Sequence, residues 1–325
     1  MVVDIKEIKL EDLKEEKFID EQVKAIKKAV GKGIAINALS GGVDSSVVTM
    51  LAHKALGTNL RSYFIENGIM REGEPEHIVA IFKSLGVKVE LVDSKKQFFK
   101  ALKGLTDPEQ KREAITQTFY KEVFGKIVKD SKAEFLLQGT NYTDVEETVA
   151  GVKRQHNILE QLGIDTKKTF GYKVLEPIIQ LRKTGVRRVG KALGLPEEIF
   201  NRPPFPGPAL AARVIGEVTP DRVALVRKAT RIVEDELKVQ AKGAFQFLAI
   251  LHSDMVTGVR SGRRDFGHQI EIRCWDSTDA VVAKATKLPF EVLQKLASKI
   301  TTEVPGIVSV TYNVTDKPPS TIEAV

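Results

Sequence analysis

Apolar residues follow two spacings along the first two hundred positions of the chain. Short apolar runs bounded by glycine or polar residues predict buried strands, whereas apolar positions three and four apart predict amphipathic helices. The predicted strands are Gly33–Leu39, Leu60–Ile65, Val87–Val92, Phe135–Gln138 and Lys173–Leu175. The predicted helices are Phe18–Val30, Asp44–Leu56, Glu74–Leu85, Glu109–Lys129 and Arg182–Leu193. The charge-rich residues 1–17 are expected to form a loosely held lead-in.

This alternation predicts an α/β fold with a doubly wound, parallel sheet of five strands covered by helices on both faces. In such sheets, ligands bind at the carboxyl ends of the strands. The segments expected at those ends are Leu39–Asp44, Glu66–Arg71, Asp93 and Gln138–Asp144. Candidate chemistry is therefore expected in these four places.

A proline-rich segment interrupts the pattern at residues 202–208 (RPPFPGP). Neither a helix nor a central strand runs through four prolines in seven residues. We therefore predict a first domain at 1–201, a linker at 202–208 and a second domain at 209–325. The second domain separates its predicted helices from its strands, which indicates a smaller α+β domain. Its helices lie near Asp221–Leu237 and Phe290–Thr301, and its strands near Phe245–Leu251, Gln269–Cys274 and Ser309–Val314.

Composition and charge narrow the class of protein. The chain has 325 residues, 42% of them hydrophobic, and 50 basic against 43 acidic residues give a net charge of +7. This mild excess suits phosphorylated small molecules and does not predict a nucleic-acid partner, which usually requires a concentrated basic patch. No apolar run approaches the length of a membrane span, and the charged start lacks a signal-peptide core. We expect a cytoplasmic protein with no membrane contact.

The segment Ser40–Ser46 (SGGVDSS) joins the first predicted strand to the helix Asp44–Leu56. Its two glycines allow backbone N–H groups to approach an anion, and its serines add hydroxyl donors. The positive end of the helix dipole points at the same place, and Asp44 can cap the helix or hold a magnesium ion. Both the Walker loop and the dinucleotide fingerprint are absent. We interpret the segment as a phosphate-binding loop.

The same seven residues closely resemble the pyrophosphate loop of the N-type ATP pyrophosphatases, whose fold is adenine nucleotide α-hydrolase-like. The resemblance implies that ATP, with Mg²⁺, is cleaved between its α and β phosphates. AMP is then transferred to a substrate oxygen, from which a nitrogen or sulfur nucleophile displaces it. The loop alone does not separate members that make NAD, argininosuccinate, asparagine, modified tRNA or GMP.

Further segments resemble the ATP pyrophosphatase part of the GMP synthetases, over roughly residues 20–325. The resemblance is carried by Ile65–Arg71 (IENGIMR), Gln138–Glu147 (QGTNYTDVEE), Lys153–Asn157 (KRQHN), Arg202–Val214 (RPPFPGPALAARV) and Lys317–Glu323 (KPPSTIE). The proline-rich segment and the C-terminal segment are the most specific of these. The chain departs from the family pattern at Glu66, Thr143, Gln155, Thr184, Gly185 and the final Ala324-Val325.

The resemblance implies that xanthosine 5′-monophosphate (XMP) is the acceptor, and that ammonia displaces AMP from it to give GMP. It implies these ATP-binding residues: Ser40, Gly41, Gly42, Val43, Asp44, Ser45 and Ser46. It implies catalytic roles for Asp44, Lys183 and His156, and magnesium contacts from Asp44 and Asp144. The XMP-binding residues that it implies are Arg112, Arg260, Arg264, Lys317, Thr321, Ile322 and Glu323.

The single cysteine bears on the source of ammonia. A glutamine amidotransferase needs a nucleophilic cysteine, but Cys274 lies in an apolar, strand-like setting, where a buried inert thiol is the expected state. About 30 residues precede the first predicted strand. The resemblance implies that a separate amidotransferase subunit supplies ammonia. The segment 209–325 resembles the dimerisation domain of the family, so we expect a homodimer.

Two other functions stay open at this point. One is a tRNA-modifying ATP pyrophosphatase, which the net charge permits but which the missing cysteine pair and the KPPSTIE segment do not favour. The other is a non-catalytic nucleotide-binding homologue, which the altered positions 184, 185, 324 and 325 permit and the intact Ser40–Ser46 segment does not favour.

Overall fold

The computed structural model describes residues 5–149, 172–278 and 280–324. They form two compact units, each built from more than one stretch of chain. The first unit comprises Met1–Ile65, Pro75–Asp93 and Val123–Arg202, and the second comprises Glu66–Glu74, Ser94–Glu122 and Pro203–Val325. The second unit therefore includes two segments from the N-terminal half of the chain, while the domain borders expected from the sequence stay a prediction.

A five-stranded sheet forms the centre of the first unit. Its strands are β1 (Ala35–Ala38), β2 (Leu60–Glu66), β3 (Val89–Asp93), β4 (Phe135–Leu137) and β5 (Lys173–Leu175). They lie in the order β3-β2-β1-β4-β5, and β1 pairs in parallel with both β2 and β4. The predicted α/β fold with a five-stranded parallel sheet is confirmed.

Helices connect and cover these strands. In chain order, those of the first unit are α1 (Glu15–Val30), α2 (Val43–Leu56), α3 (Glu74–Ser84), α6 (Gly125–Ser131), α7 (Tyr142–Val149), α8 (Lys183–Ala192) and α9 (Glu197–Phe200). Between α3 and α6 the chain forms α4 (Lys95–Leu102) and α5 (Pro108–Gln117), which belong to the second unit. A π-helical segment, Thr118–Phe124, joins α5 to α6. The helices α1, α2 and α8 pack on one another. Val47, Leu51 and Val189 are fully buried there, which stabilises the layer beside β1.

The order of the strands fixes where a ligand can bind in this unit. From β1 the chain first builds β2 and β3 on one side and later β4 and β5 on the other. The carboxyl ends of β1 and β4 therefore flank a topological switch point, the usual ligand crevice of an open parallel sheet. The loops that follow β1 and β4 carry the SGGVDSS and QGT segments.

The lead-in is held more firmly than its composition indicates. Arg188 on α8 donates to the carbonyls of Leu10 and Leu13 and to the carboxylate of Glu15. Leu13 is 5% exposed, so it anchors the segment in the core. The expectation of a loosely held segment is wrong for these residues, because the partners that hold them lie more than 170 positions away and the local pattern does not reveal them.

The second unit contains a four-stranded sheet. Its strands are β6 (Gln246–Arg260), β7 (Arg263–Asp276), β8 (Lys284–Ala285) and β9 (Ile307–Tyr312). Strand β7 is antiparallel to β6 and β8 and parallel to β9. Besides α4 and α5, its helices are α10 (Pro220–Gln240) and α11 (Phe290–Glu303), which follow a 3₁₀ turn at Ala209–Arg213. The predicted smaller α+β part is confirmed.

The long hairpin of β6 and β7 extends further than predicted. Only Ser261 and Gly262 form its turn, with φ of 51° and 73°. From its sequence, Gly258–Arg264 (GVRSGRR) is expected to form a glycine-rich turn. This expectation is wrong beyond Ser261 and Gly262, because the flanking positions pair as strand. The outer half of the hairpin carries exposed polar residues, which hide the strand pattern in the sequence.

The core of the second unit lies between the sheet and the helices α10 and α11. Val226 and Val233 of α10, Ile250 of β6 and Ile300 of α11 are completely buried. Within the described part of the chain, no helix is both long and apolar enough to cross a lipid bilayer.

Candidate active site

The loop after β1 has a backbone that only glycine supplies without strain. Gly41 has a φ of 77°, in the left-handed region. A Cβ atom there would lie 3.1 Å from Nη1 of Arg202 and 3.1 Å from Cγ1 of Ile78. Arg202 also donates to the carbonyl of Gly41 at 3.0 Å. The close approach of these groups therefore fixes the first turn of the loop.

The serines of the loop hold its shape. Ser45 Oγ donates to the carbonyl of Gly42 at 3.0 Å and accepts from the Ser40 amide at 3.2 Å. The two hydroxyls of Ser40 and Ser45 lie 3.0 Å apart, within hydrogen-bond distance. Ser46 is fully buried. The loop thus has a defined shape, and its hydroxyls are arranged around the beginning of α2.

Helix α2 begins with its positive dipole end at this loop. Gly42 is its N-cap, and no side chain caps it among the residues that the structure describes. The amide groups of the first turn therefore point into the loop region, as at anion-binding helix N-termini. The phosphate-binding loop predicted from the sequence therefore lies at a helix N-terminus whose amides can bind an anion.

Asp44 and Lys183, predicted as catalytic residues, form an ion pair. Lys183 Nζ donates to Oδ2 of Asp44, while Lys183 is 49% and Asp44 21% exposed on the side chain. The second carboxylate oxygen, Oδ1, is buried and has no hydrogen-bond partner among the described residues. A buried carboxylate oxygen without a donor is costly, which indicates a partner that the protein itself does not supply.

The loop after β4 lies directly against this pair. A Cβ atom on Gly139 would come within 3.1 Å of the Asp44 backbone carbon, the Asp44 Cβ and the Ser45 amide nitrogen. Further along, Asp144 accepts from the amide of Asn141 at 3.0 Å, and Asn141 accepts in turn from the amides of Thr143 and Asp144. This reciprocal pattern caps the start of α7 and accounts for one oxygen of Asp144.

Three arginines that support this region were not predicted as site residues. Arg202 holds the loop after β1. Arg182 pairs with Glu7 and Glu146, and its guanidinium lies 5.1 Å from the centre of the Tyr142 ring. The bond to Arg182 lowers the pKa of Glu146. Arg187 donates to the carbonyls of Phe200 and Arg202. The sequence signal for this supporting role was the position of the three arginines next to the motifs quoted above. It was missed because arginines in loops and helices usually face solvent.

The residues predicted to bind XMP lie in the second unit. Arg112 is half-exposed on α5 and lies 3.8 Å from Glu109. The adjacent Lys111 is 1% exposed, and its Nζ donates to the carbonyl of Val214 at 2.9 Å. Burial, together with the positive charge of Arg222, lowers the pKa of Lys111 to about 8. The sequence analysis did not single out Lys111, since a lysine on a helix is normally solvated.

The C-terminal segment is bound to the end of the sheet. Lys317 Nζ donates to the carbonyl of Ala280 at 2.6 Å. Ile322 packs on the cluster around Trp275, whose Nε1 donates to the Ile322 carbonyl at 3.3 Å. Thr321 is exposed, and its carbonyl accepts from Arg273 at 2.7 Å. The structure therefore brings Lys317, Thr321, Ile322 and Glu323 together at one end of β7.

Arg260 and Arg264 lie at the opposite end of β7. Arg260 pairs with Asp265 at 3.0 Å and donates to the carbonyl of Ile307. Arg264 pairs in register with Val259 near the tip of the hairpin. The nine residue steps from Arg264 to Arg273 span about 30 Å of strand. Within one chain the structure does not bring these two arginines to the C-terminal segment, and their predicted role stays a prediction.

Two other predictions concern single residues. Cys274 is buried, and burial raises the pKa of its thiol, as expected for an inert cysteine. His156, with the rest of Lys153–Asn157, lies outside the described residues. Within the described ranges, no group of three or more His, Cys, Asp or Glu side chains is arranged to hold a metal ion.

Two family models match the chain. The model described as NAD synthase matches residues 13–207, and the model described as GMP synthase C terminal domain matches residues 230–324. The first match covers the five-stranded sheet and the loop Ser40–Ser46. The second covers the sheet of the second unit and the C-terminal segment.

Curated relatives match over nearly the whole chain. A protein from Thermococcus kodakarensis, named as one subunit of a glutamine-hydrolyzing GMP synthase, is 45% identical over 309 residues, covering 95% of this chain and 99% of that protein. Proteins of the same name from Archaeoglobus fulgidus and Methanocella arvoryzae are 46% and 47% identical, over 95% and 94% of this chain and 98% and 97% of theirs.

Proposed function

The chain belongs to this family of GMP synthase subunits, and on that premise we propose that it catalyses the ATP-dependent amination of XMP to GMP, with release of AMP and pyrophosphate. It is accordingly a ligase that forms a C–N bond. The names of its relatives describe one subunit of a glutamine-hydrolysing enzyme, so ammonia comes from a separate glutamine amidotransferase subunit. The buried Cys274 supports this division.

The observation that carries the proposal is the Asp44–Lys183 pair at the beginning of α2, beside the SGGVDSS loop. The loop amides and the helix dipole bind the β- and γ-phosphates of ATP. Lys183 is half-exposed. Its ammonium moves away from Asp44 and stabilises the negative charge that develops on the leaving pyrophosphate. The attacking atom is O2 of XMP, which takes AMP from ATP. Ammonia then displaces AMP, and GMP results.

The residues present fit a magnesium ion. Oδ1 of Asp44 is buried and unpaired among the described residues, and an ion beside it would satisfy this oxygen. Asp144, with one oxygen engaged in capping α7, is the second carboxylate that we assign to the ion. Mg²⁺ is usually held by one or two carboxylates together with substrate phosphates. When bound, it neutralises charge on the pyrophosphate.

We assign XMP binding to Arg112 and to the C-terminal segment. Arg112 carries the charge that a phosphate dianion requires. Lys317, Thr321, Ile322 and Glu323 lie together at one end of the sheet, where Lys317 and Glu323 can meet the charged and polar groups of a nucleotide. Arg260 and Arg264 would complete such a site only from another copy of the chain.

We also propose a homodimer formed through residues 209–325. The second unit exposes large apolar side chains, including Val259 (75% exposed) and Phe266 (61% exposed) on the hairpin and Phe290 (68% exposed) on α11. Exposed apolar residues of this size commonly mark an interface. The cytoplasmic location expected from the sequence remains a prediction.

Synthesis of NAD is the second candidate function, because the NAD synthase model matches residues 13–207. That match covers the nucleotide-binding unit and not the C-terminal segment. An assay of the purified chain separates the candidates, including tRNA modification and a non-catalytic role. With ATP, Mg²⁺, ammonium and XMP, we expect AMP and GMP. AMP formation with deamido-NAD or tRNA but not with XMP would overturn the proposal, as would no reaction at all.

Ammonium should replace the amidotransferase in this assay. The pure chain should make GMP from ammonium and none from glutamine, since its one cysteine is buried. Turnover with glutamine alone would contradict the assignment of a separate amidotransferase.

A further inference from the structure

Arg182, the residue before Lys183, is held between two carboxylates. Its Nε donates to Oε1 of Glu7 at 2.8 Å, and its Nη2 donates to Oε2 of Glu7 at 3.3 Å. On the other side, Nη1 donates to Oε2 of Glu146 at 2.7 Å and Nη2 to Oε1 of Glu146 at 2.7 Å. Two paired contacts of this kind fix both the position and the plane of the guanidinium.

The two carboxylates come from separate parts of the first unit. Glu7 lies in the lead-in, and Glu146 lies on α7. The main chain of the lead-in is attached at the same place, because the amide of Ile8 donates to the carbonyl of Gln180 at 2.9 Å. Arg182 therefore joins the lead-in and α7 to the beginning of α8, and we call Glu7, Glu146 and Arg182 the Arg182 clamp.

The clamp lies at the end of α8 that carries Lys183. Arg182 is the N-cap of this helix, and Lys183 is its first residue. Among the described residues, no side chain caps this end, and its first turn contains no acidic residue. A lysine at this end of a helix is opposed by the helix dipole. The carboxylates of Glu7 and Glu146 bring negative charge to this end through Arg182, so the clamp sets where Lys183 leaves the main chain.

The clamp is better suited to orientation than to stability. The side chains of Arg182, Glu7 and Glu146 are 42%, 26% and 47% exposed, and ion pairs at such exposure contribute little to the free energy of unfolding. Lys183 has a flexible, half-exposed side chain. Its ammonium reaches the same place repeatedly only if the first turn of α8 is fixed, because catalytic groups lose effect when they are displaced.

We propose that Glu7, Glu146 and Arg182 are positioning residues, which fix the first turn of α8 so that the Lys183 ammonium lies at the phosphates of ATP. This inference rests on the proposed function, which places those phosphates at the loop Ser40–Ser46. The three residues act through Lys183 and do not touch the nucleotide.

The test measures calorimetric binding of ATP with Mg²⁺, without XMP, and the midpoint of unfolding. Removing a carboxylate makes the surroundings more positive, which by charge alone would strengthen binding of the ATP anion. Positioning predicts the opposite, so Glu7→Gln and Glu146→Gln should each raise Kd for ATP about three- to tenfold. The midpoint of unfolding should stay unchanged. Equal or tighter binding of ATP by both folded variants overturns the proposal.

Arg182→Lys tests the geometry of the clamp at constant charge. A single ammonium cannot form paired contacts with two carboxylates at once. We expect Kd for ATP to rise about tenfold. If Arg182→Lys does not fold, Glu7→Gln and Glu146→Gln decide the matter, and an unchanged Kd in folded Arg182→Lys overturns the proposal.

Glu15→Gln is the matched control. Glu15 also belongs to the lead-in and pairs with an arginine of α8, but that residue is Arg188, beyond the first turn. Its loss changes the net charge and weakens the attachment of the lead-in as Glu7→Gln does, while the Arg182 clamp stays in place. Kd for ATP should not rise. A rise equal to that of Glu7→Gln would assign the effect to attachment of the lead-in in general and overturn the proposal.

A double-mutant cycle shows whether the effect passes through Lys183. Lys183→Met removes the ammonium, so Glu146→Gln should then cause no further rise in Kd for ATP. Additive effects of the two substitutions would overturn the proposal.

The outcome is separable from that of the proposed function. If the wild-type chain does not bind ATP, the proposed function fails, and this inference fails with it. If the wild type binds ATP and makes GMP but the variants of the Arg182 clamp bind ATP equally well, only the positioning role is wrong.

Discussion

Lys111 should make the stability of the second unit depend on pH in the alkaline range. Its ammonium is 1% exposed and donates to the carbonyl of Val214. Burial, followed by the positive charge of Arg222, lowers its pKa from 10.5 to about 8, and Asp107 opposes this change only in part. In the unfolded chain the lysine returns to its ordinary pKa.

The sign follows from proton binding. Between pH 8 and pH 10.5 the unfolded state binds the proton and the folded state does not, so the free energy of unfolding rises with pH. One proton gives a slope of about 1.4 kcal/mol per pH unit. Over the whole interval the free energy of unfolding rises by about 3 kcal/mol. The folded state therefore lacks this stabilisation below pH 8 and has all of it above pH 10.5.

Urea unfolding of the wild type and of Lys111→Met at pH 7, 8, 9 and 10 measures this contribution, with the fluorescence of Trp275 as the probe. The difference in unfolding free energy should move in favour of the wild type by about 2 to 3 kcal/mol across the series. Lys96→Met, at an exposed position of α4, is the control and should follow the wild type in parallel. If the unfolding free energies of the wild type and Lys111→Met change in parallel with pH, the claim that burial lowers the pKa of Lys111 is refuted.

Three further predictions concern the nucleotide sites. Asp44→Asn should lower the rate of AMP release at least a hundredfold, because it removes the charge that pairs with Lys183. The midpoint of unfolding should stay unchanged. Near-normal turnover would mean that ATP binds elsewhere. Gly139→Ala should raise KM for ATP several-fold, because its Cβ would lie 3.1 Å from atoms of Asp44 and Ser45. Gly207→Ala is the control and should leave KM unchanged, because its Cβ would meet no atom within 4 Å. A KM for ATP that is the same in Gly139→Ala and the wild type would contradict the close packing of the two loops. Truncation before Lys317 should raise KM for XMP by about ten- to a hundredfold and leave KM for ATP nearly unchanged, the cost of one or more charge-assisted contacts; a parallel rise in both values would assign the segment to folding.

Much of the first unit could be predicted from the sequence because its information is local. Each strand is a short apolar run, the helices α1, α2, α3 and α8 show helical spacing, and Gly and Ser residues surround Asp44 at the end of β1. The one helix predicted over Glu109–Lys129 is interrupted by the π-helical segment Thr118–Phe124, and α7 and α9 were not predicted. The loop after β1 and the helix that follows it were therefore predictable to within two residues.

The supporting contacts could not be predicted, because they join distant positions. Arg188 reaches Leu10, Arg213 reaches Glu323, and Lys111 reaches Val214, each across more than 100 residues. A sequence pattern gives no reason to bury Lys111 and Arg213, or to attach the exposed Arg188 to the lead-in. Only the fold shows which carbonyl and carboxylate oxygens accept hydrogen bonds from these three cations.

The outer half of the β6–β7 hairpin was missed for a different reason. Its residues pair fully, yet many are polar and exposed, so the backbone forms a strand without the alternation that a buried face imposes. The length of β7 separates Arg260 and Arg264 from the C-terminal segment, although the family resemblance placed all of them in one site.

The central claim is that this chain couples cleavage of ATP to the amination of XMP. The most direct measurement is the stoichiometry of products from the purified chain with ATP, Mg²⁺, XMP and ammonium, followed by chromatography of the nucleotides. The account predicts one AMP for each GMP and no AMP when XMP is omitted. AMP released without GMP, or equal AMP with and without XMP, would contradict it.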